Sequence, residues 1–596
     1  MEIEFRAVTA SVDGPGGVSE EYVAPISGLS GVTAVAVGPL EVRLSGHPDG
    51  FGWSVGNGGD RPSRLRALAV VGRVQGATEP LRMFRHGYQS WSPSGVAVLG
   101  VDDDPSRRAD LPFVQGVYHA DPRRTRDGEL RSEWCTVLAD ADAGGTERQI
   151  VLGFDGGDRH DGTFRLFRDD AGHVELRIEA FLGGAELGPG RRRELHGVSW
   201  VRGSADAASE LLGRWAGVVG RAAGARVGAP FQVGWCSWYH YFDEVTEADL
   251  RSNLDAAEGW PFDVFQLDDG YQAGIGDWLD TNAKFPSRLD RLAADIAARG
   301  MQPGIWLAPF LAAPDSALVR GHPDWIARYA GSDADEPLRS WWNPAWGGGE
   351  DGFMYSLDTS RAEVQDHLEQ LARELTAAGF VYLKLDFTFA PSVDGRWHDA
   401  TLTPAERVRA GFDAIRRGAG EDTFILGCGV PLANVVGVVD ANRIGADVAP
   451  LWALDPGAET VPGYLNVEPA TRSAFAATVA RSFMHRNLWV NDPDCIMLRT
   501  TSTDLAPDAA ATWAQCVGLS GGLVMVSDDL RVLGPEAQAH LDDVVALGRT
   551  SDAAAQEGNP PTSPDLLVHA VPTTLMTAGH ELVVDVETAS SVLRAR

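Results

Sequence analysis

Cysteine is scarce in this chain of 596 residues, which contains five cysteines at widely separated positions. Five scattered thiols are too few for a disulfide framework and lack the close spacing of a zinc site. The chain has no uncharged run of about 18 apolar residues, the length that a transmembrane helix needs. Its first residues, MEIEFRAVTA, show no basic segment followed by an apolar one, as a secretory signal would. These absences predict a soluble, cytoplasmic protein.

Basic residues are also fewer than acidic ones. Lysine and arginine total 51 against 83 aspartate and glutamate residues, so the formal net charge is −32. A surface of this sign repels phosphate backbones and anionic lipid, which disfavours a nucleic-acid or a membrane partner. Hydrophobic residues make up 44% of the chain, enough for a large buried core, which excludes a disordered or fibrous protein. A neutral small molecule is therefore the favoured ligand.

The first part of the chain has the two-residue periodicity of β-strands. In Glu2–Ala7 and Val174–Ala180, apolar and charged residues alternate, which places one set on a buried face and the other in solvent. Turn-forming clusters such as Asp155–Asp158 separate segments of this kind. The pattern predicts an antiparallel β-sandwich domain over residues 1–228.

From residue 229 onward, short apolar segments alternate with amphipathic helical ones, which is typical of a parallel sheet built from β–α–β units. Eight candidate strands over about 300 residues match the size of a (β/α)8 barrel. They are Gln232–Cys236, Val264–Leu267, Gly304–Ala308, Val381–Leu385, Phe424–Gly427, Val438–Ala441, Leu488–Val490 and Leu523–Val526. We therefore predict a multidomain β plus α/β protein, with the sandwich, a TIM barrel over residues 229–550 and a short C-terminal β domain over residues 551–596.

Polar and aromatic residues lie at the ends of the predicted strands, where a barrel of this type has its active site. Sugar rings offer apolar faces to tryptophan, and their hydroxyls form charge-assisted hydrogen bonds with carboxylates and cations. Such residues occur in strand order as Trp238, Asp268, Asp269, Trp306, Lys384, Asp386, Cys428, Arg443 and Asp447. This composition, with hardly any phosphate-cradling glycine, favours carbohydrate chemistry.

Hydrolysis of a glycosidic bond needs two carboxyl groups with opposed roles. Alternation along Lys384–Asp386 points both polar side chains to one side of the barrel mouth. The lysine charge is expected to lower the pKa of Asp386 and to keep it ionised as a nucleophile. Asp447 lies beside apolar Ile444 and Val448, and partial burial near a second carboxylate is expected to raise its pKa, as an acid requires.

Each of these residues taken alone also has a structural interpretation. Asp268–Gly270 is a common turn sequence, Lys384 could be a salt-bridge partner, and Arg443 could anchor a loop. Asn491–Asp494 is better explained as a proline turn than as part of a site. The three tryptophans of the insertion at residues 311–360 could be its own core; they are Trp341, Trp342 and Trp346. The coincidence of polar residues on successive strands favours the functional interpretation.

Six segments together form a more specific family signature than any one of them alone. They are Gly234–Trp238, Phe265–Gln272, Gly304–Pro309, Leu383–Phe387, Arg443–Val448 and Trp489–Cys495. In order and spacing they resemble the α-galactosidase clan of glycoside hydrolases, and the β-rich front region is similar to family 36 rather than to family 27. The resemblance is close over about residues 231–550 and extends to the front region only in character.

The resemblance implies a retaining exo-glycosidase that removes terminal α-linked galactose from raffinose- or melibiose-type oligosaccharides by double displacement, without a metal or organic cofactor. It implies that Asp386 is the nucleophile and Asp447 the acid/base, with carboxyl groups about 5–6 Å apart. It further implies that Asp268 and Asp269 bind the 4- and 6-hydroxyls and Lys384 the 3-hydroxyl, while Trp238 and Trp306 wall the sugar. Arg443 and Cys428 complete the predicted substrate-binding residues. Homo-oligomers are common among family members with such a front region.

One departure from the family pattern concerns the sugar's 2-position. Related enzymes can carry a glutamate just after the fifth-strand cysteine, whereas here Cys428 is followed by Gly429. The glycine is expected to leave room for an acetamido group, so an α-N-acetylgalactosaminidase is an alternative. A raffinose-synthase-type transferase, a non-catalytic galactoside-binding barrel, and a divalent-metal enzyme with Asp268, Asp492 and Asp494 as ligands are less favoured.

Overall fold

The computed structural model describes residues 1–14, 19–29, 31–104, 116–121, 126–141, 145–203, 208–330, 335–347, 351–455 and 469–596. Its first part consists of two antiparallel sheets. The six-stranded sheet contains, in spatial order, Ser19–Pro25, Glu2–Asp13, Ser63–Gln75, Val174–Leu187, Asp161–Arg168 and Leu130–Glu133. The nine-stranded sheet contains Gly31–Val37, Leu40–His47, Gly50–Asn57, Val198–Gly203, Glu147–Phe154, Cys135–Ala141, Arg82–Arg85 and Gly95–Val98, with Arg192–Glu194 paired to the third of these.

Alternating side chains pack these two sheets against each other. Val174, Leu176 and Ile178 are buried along one strand, as the two-residue periodicity predicts. Phe154 of the nine-stranded sheet contacts Phe164 of the six-stranded sheet, with ring centroids 5.2 Å apart. The front region is therefore rich in sheet and has a core between its two layers.

A curled parallel sheet follows. Its strands are Val233–Cys236, Val264–Leu267, Gln302–Leu307, Tyr382–Leu385, Phe424–Gly427, Ala441–Arg443, Val490–Asp492, Cys495–Ile496 and Val524–Val526. Successive strands pair in parallel as far as Val490–Asp492. The last strand pairs with Cys495–Ile496 on one side and returns to Val233–Trp235 on the other. The carboxyl ends of these strands consequently meet around one cleft.

Helices alternate with these strands. They are Ala208–Ala223, Trp238–Tyr241, Glu247–Ala256, Leu289–Ala297, Ala317–Gly321, Ala362–Ala377, Pro404–Ala419, Thr471–Ala480, Pro507–Ser520 and Pro535–Gln556. Two of them begin with complete capping boxes, formed by Thr246 with Asp249 and by Thr403 with Glu406. Within the described residues, no helix is long and apolar enough to cross a membrane.

The sixth and seventh strands lie closer to the C-terminus than their apolar segments predict. The structure has them at Ala441–Arg443 and Val490–Asp492, whereas the prediction was Val438–Ala441 and Leu488–Val490. Their polar residues are buried inside the sheet because they have charged partners there, as the ion pair between Arg443 and Asp492 shows. Apolar content alone therefore misplaced both strands.

Two small antiparallel sheets complete the fold. One belongs to the insertion and contains Leu311–Ala312, Phe353–Ser356 and Arg339–Trp342 in spatial order. The other, near the C-terminus, contains Thr574–Met576, His580–Asp585 and Ser590–Ala595. The helix Pro535–Gln556 runs across residue 550, the predicted end of the barrel domain.

Candidate active site

A buried ion pair lies at the second and fourth strands. Lys384 Nζ is 2.8 Å from Asp268 Oδ2, and both side chains are almost fully buried. Gln266 Nε2 donates to the same carboxylate oxygen at 2.5 Å, and the backbone N–H of Asp269 donates to Oδ1 at 3.0 Å. Burial alone would lower the pKa of Lys384, but Asp268 outweighs it and raises the pKa well above its usual value. Lys384 is therefore a cation in this site.

Asp269 is held by neutral donors instead. Gln272 Nε2 donates to its Oδ1 at 2.6 Å, and the indole Nε1 of Trp346 donates to its Oδ2 at 2.7 Å. Burial raises the pKa of Asp269 to about 6, and the charge of Asp268 adds to this effect. The two adjacent aspartates thus have different surroundings, although both line the cleft.

Asp386, at the end of the fourth strand, accepts two hydrogen bonds. Trp306 Nε1 donates to its Oδ2 at 3.1 Å, and the backbone N–H of Phe387 donates to its Oδ1 at 2.8 Å. The ammonium of Lys384 pairs directly with Asp268, so its interaction with Asp386 is through charge alone, and the expected effect on Asp386 stays a prediction. Phe387 has a φ of 53°, in the left-handed region, and this conformation accompanies the hydrogen bond from its amide to Asp386.

Asp447 faces the cleft from the loop after the sixth strand. Arg443 Nη1 donates to its Oδ1 at 2.9 Å, and 34% of the aspartate side chain is exposed. Burial among the walls of the cleft raises the pKa of Asp447 to about 7; Arg443 opposes this rise, while Asp494 and Asp386 contribute to it. The predicted direction of the pKa agrees with this result.

Arg443 also pairs with both acidic residues of the proline turn. Its guanidinium lies 3.1 Å from Asp492 Oδ2 and 2.9 Å from Asp494 Oδ1. Asp494 also accepts hydrogen bonds from the hydroxyl of Tyr239 and from the backbone N–H of Val448. The turn therefore has the structural role that the sequence favoured for it, and it fixes the arginine beside Asp447.

These pairings disagree with a divalent-metal site on Asp268, Asp492 and Asp494. Lysine and arginine already neutralise all three carboxylates, and a cation site needs several convergent free oxygens. In the part of the chain that the structure describes, no group of three or more histidine, cysteine, aspartate or glutamate side chains is arranged to hold a metal ion.

The indole of Trp91 lies next to Gly429. A Cβ placed on Gly429 would lie 2.8 Å from Cζ2 of Trp91, which comes from the front region. Trp91 is 8% exposed and packs with Cys428, Tyr118 and other side chains. An indole therefore lies where a side chain at position 429 would extend, and the expectation of room for an acetamido group stays a prediction.

The structure gathers most of the sequence-predicted residues and adds three that the sequence analysis did not assign to the site. Trp306 is buried between Trp278 and Trp346, whereas Trp238 is half-buried and packs edge-on against Phe242. These three added residues are Gln266, Trp91 and Trp346, the last of which was interpreted above as core of the insertion. Gln266 could have been found, because strand alternation places it on the same side as Asp268. Trp91 and Trp346 lie in segments where no periodicity indicates what they contact.

Comparisons with known proteins match the first half of the cleft by sequence and most of the chain by structure. A melibiase family model matches residues 233–390, which include Asp268, Asp269, Lys384 and Asp386. Over 158 residues the chain is 28% identical to alpha-galactosidase 1 of Pediococcus pentosaceus, covering 25% of this chain and 20% of the relative. Over 154 residues it is 30% identical to alpha-galactosidase AgaA of Geobacillus stearothermophilus, covering 24% and 19%. The aligned segment therefore spans about a fifth of these curated relatives.

Solved structures extend the similarity over most of the chain. TtGalA, the alpha-galactosidase of Thermus thermophilus, solved in complex with p-nitrophenyl alpha-D-galactopyranoside, has a TM-score of 0.66 at 26% identity. It covers 87% of this chain and 95% of its own. This chain thus matches a melibiase model over residues 233–390 and is similar in fold to an alpha-galactosidase over most of its length. The family 36 structure of AgaA has the same fold, with a TM-score of 0.60 at 14% identity, and covers 98% of this chain and 78% of its own. The second half of the cleft, with Arg443 and Asp447, thus falls within the structural similarity but outside the match to the family model.

Proposed function

We propose that this protein is a retaining α-galactosidase that removes terminal α-linked galactose from oligosaccharides by double displacement. One observation carries the proposal: two aspartates of unlike surroundings line one cleft. Asp386 accepts two N–H donors, while the pKa of Asp447 is raised to about 7 beside other acidic groups. Glycoside hydrolysis uses such a pair of carboxyl groups in different surroundings, one as the nucleophile and the other as the acid.

In the first step, a carboxylate oxygen of Asp386 attacks the anomeric carbon. The bond between that carbon and the leaving oxygen breaks, and Asp447 transfers its proton to the leaving oxygen. The indole of Trp306 and the amide of Phe387 hold the attacking carboxylate in position. The product of this step is a β-galactosyl ester of Asp386 and a free aglycone alcohol.

In the second step, a water molecule takes the place of the aglycone. Asp447, now ionised, accepts a proton from this water, and the resulting oxygen attacks the anomeric carbon. The ester bond breaks, Asp386 is released as a carboxylate, and the sugar leaves as the α-anomer. Asp447 is protonated again at the end of the cycle, so a pKa near neutrality suits both of its roles.

Recognition of the sugar is proposed for the buried ion pair and its neighbour. Asp268 and Lys384 would bind the 4- and 3-hydroxyls, and Asp269 the 6-hydroxyl. A galactose epimer that leaves these buried groups unpaired would be rejected by about 10⁴-fold. Structures of relatives support an oligosaccharide substrate, since AgaA variants were solved with raffinose and with stachyose, and TtGalA with stachyose.

Trp91 supports galactose over N-acetylgalactosamine as the preferred sugar. Its indole lies beside Gly429 and Cys428, where the family resemblance implies recognition of the 2-position. A hydroxyl needs less space than an acetamido group, and a rigid buried indole moves at high cost. We therefore expect the 2-acetamido analogue to be the poorer substrate.

We also propose that the curled sheet is a closed (β/α)8 barrel. Val490–Asp492 pairs with the sixth strand and Cys495–Ile496 with the last, and Pro493 and Asp494 separate the two segments. Proline lacks the N–H that a sheet needs, and Asp494 has a φ of 94°, which together account for the break. Counted as one strand, they close a ring of eight. A β-sandwich over residues 1–228 precedes this barrel, and a C-terminal β domain follows the helix that ends at Gln556.

Two measurements test the proposed function. Initial rates on p-nitrophenyl α-D-galactopyranoside and on its 2-acetamido analogue should differ strongly in favour of the first. Proton NMR of the earliest product should show α-galactose, and early β-galactose would overturn the retaining mechanism. Galactoside binding without hydrolysis would instead indicate the non-catalytic barrel protein.

A further inference from the structure

Trp346 comes from the insertion and reaches the predicted sugar site. It lies in a short 3-10 turn, Pro344–Trp346, between the strands Arg339–Trp342 and Phe353–Ser356. Its indole N–H donates to Oδ2 of Asp269 at 2.7 Å. The insertion tryptophans are therefore more than a local core, since at least one of them contacts a candidate sugar-binding carboxylate.

The ring of Trp346 is fixed by aromatic neighbours on the barrel. Its centroid lies 6.0 Å from that of Trp306 and 4.9 Å from that of Phe387, at an interplanar angle of 81° in the second case. Trp306 donates to Asp386 through its indole, and Phe387 donates to it through its amide. Trp346 thus packs on both residues that hold the proposed nucleophile, and its orientation is constrained by an edge-to-face contact with Phe387 and a tilted contact with Trp306.

Asp269 depends on this indole more than its neighbour Asp268 depends on any single donor. Asp268 is held by Lys384, by Gln266 and by a backbone N–H, all of which belong to the parallel sheet or to the turn after its second strand. The recorded side-chain donors to Asp269 are Gln272, on Oδ1, and Trp346, on Oδ2. Loss of the Trp346 N–H leaves Oδ2 without its donor and lets the carboxylate turn about its bond to Cβ.

We propose that Trp346 is a positioning residue that makes the site selective for a hydroxymethyl group at C5 of the terminal sugar. The inference rests on the proposed function, in which Asp269 binds the 6-hydroxyl. The indole N–H holds Oδ2 of Asp269 in the orientation that this hydroxyl meets. A sugar without the hydroxymethyl group does not use Asp269 in this way, and its hydrolysis depends little on the Trp346 N–H.

Two substrates separate this effect from general damage. p-Nitrophenyl β-L-arabinopyranoside has the ring configuration of the α-D-galactopyranoside but lacks the hydroxymethyl group. In Trp346→Phe the aromatic ring stays and the donor is lost. We expect kcat/KM for the galactoside to fall about tenfold, the effect of one hydrogen bond to a charged group. We expect kcat/KM for the arabinoside to stay within about twofold, so that the ratio between the substrates falls.

The strand Arg339–Trp342, which precedes the turn with Trp346, provides a matched control. Trp342 is 50% exposed, and its indole donates to the backbone oxygen of Asp351. Trp342→Phe removes an indole N–H that donates to Asp351 and not to Asp269. This change should leave the substrate ratio unchanged. In an Asp269→Asn background, Trp346→Phe should have no further effect on the ratio, because both changes act on one contact.

Other outcomes would overturn the inference. Equal losses on both substrates in Trp346→Phe would make the residue a structural support only. A loss that grows with the size of the aglycone and not with the C5 substituent would make it an aglycone platform. Absence of galactoside hydrolysis in the unaltered protein would instead overturn the proposed function, so the two failures are distinguishable.

Discussion

The two halves of the cleft surround their aspartates with different partners. On one side, Asp386 accepts N–H groups from Trp306 and Phe387, and the nearby lysine is committed to Asp268. On the other side, Asp447 has one arginine partner, and Asp492 and Asp494 compete for that cation. Burial raises the pKa of Asp447 to about 7; Arg443 opposes this rise, while Asp494 and Asp386 add to it. Burial and the neighbouring donors and charges, rather than the residue type, thus determine the proposed roles.

Asp386→Asn should have the largest effect, since it removes the proposed nucleophile. We expect turnover to fall by at least about 10⁴-fold, because the amide cannot form the glycosyl ester. In either orientation the new amide Nδ2 faces an N–H donor, that of Trp306 or that of Phe387, but galactose should still bind through Asp268 and Lys384. Initial rates and calorimetric titration with galactose measure the two properties separately. Near-normal turnover would show that the nucleophile is misassigned.

Asp447→Asn should have a large effect that depends on the leaving group. Raffinose needs a proton on its leaving oxygen, so we expect a loss of about 10²–10⁴-fold. p-Nitrophenolate leaves without protonation, so the first step should be affected much less, and added azide should restore turnover by replacing the activated water. Asp542→Asn, an exposed change on the outer helix, serves as the control. Equal losses on both substrates would contradict the acid role.

Trp91→Ala should have a moderate effect on sugar selectivity. Removal of the indole opens space beside Gly429, so the ratio of kcat/KM for the 2-acetamido analogue to that for the galactoside should rise about tenfold or more. Because Trp91 is buried, the variant should also lose about 3–5 kcal/mol of its free energy of unfolding, as is typical of a large-to-small core change. It should therefore unfold at a lower temperature. Trp91→Phe is the milder companion variant. An unchanged ratio in a folded Trp91→Ala protein would show that the indole does not limit the 2-position.

Local sequence patterns predicted the parts of this cleft that depend on single strands. Five of the eight predicted strands lie within one residue of their predicted bounds, among them the strand with Lys384 and the strands that directly precede Asp268 and Cys428. The partner of Lys384 was not predictable in this way, because Asp268 is 116 positions away and the nearer Asp386 fits the same charge argument. Trp91 and Trp346 belong to other parts of the chain, and only tertiary structure brings them to the strand ends. Long-range contacts therefore account for most of what the sequence analysis missed.

Asp494→Asn should have the smallest effect and would sharpen the comparison between the two halves. The change removes a negative charge near Asp447 and frees part of the Arg443 guanidinium, and both consequences lower the pKa of Asp447. Because that pKa is raised, Asp447 holds its proton below about pH 7 and loses it as the pH rises through this value. The alkaline limb of kcat/KM should therefore start near pH 7 in the unaltered protein and move to lower pH in the variant, by less than about one unit. Asp492→Asn offers a second test, since it removes a charge from the same arginine. A limb that stays in place in both variants would mean that another group controls it, and that the shared arginine does not tune the acid.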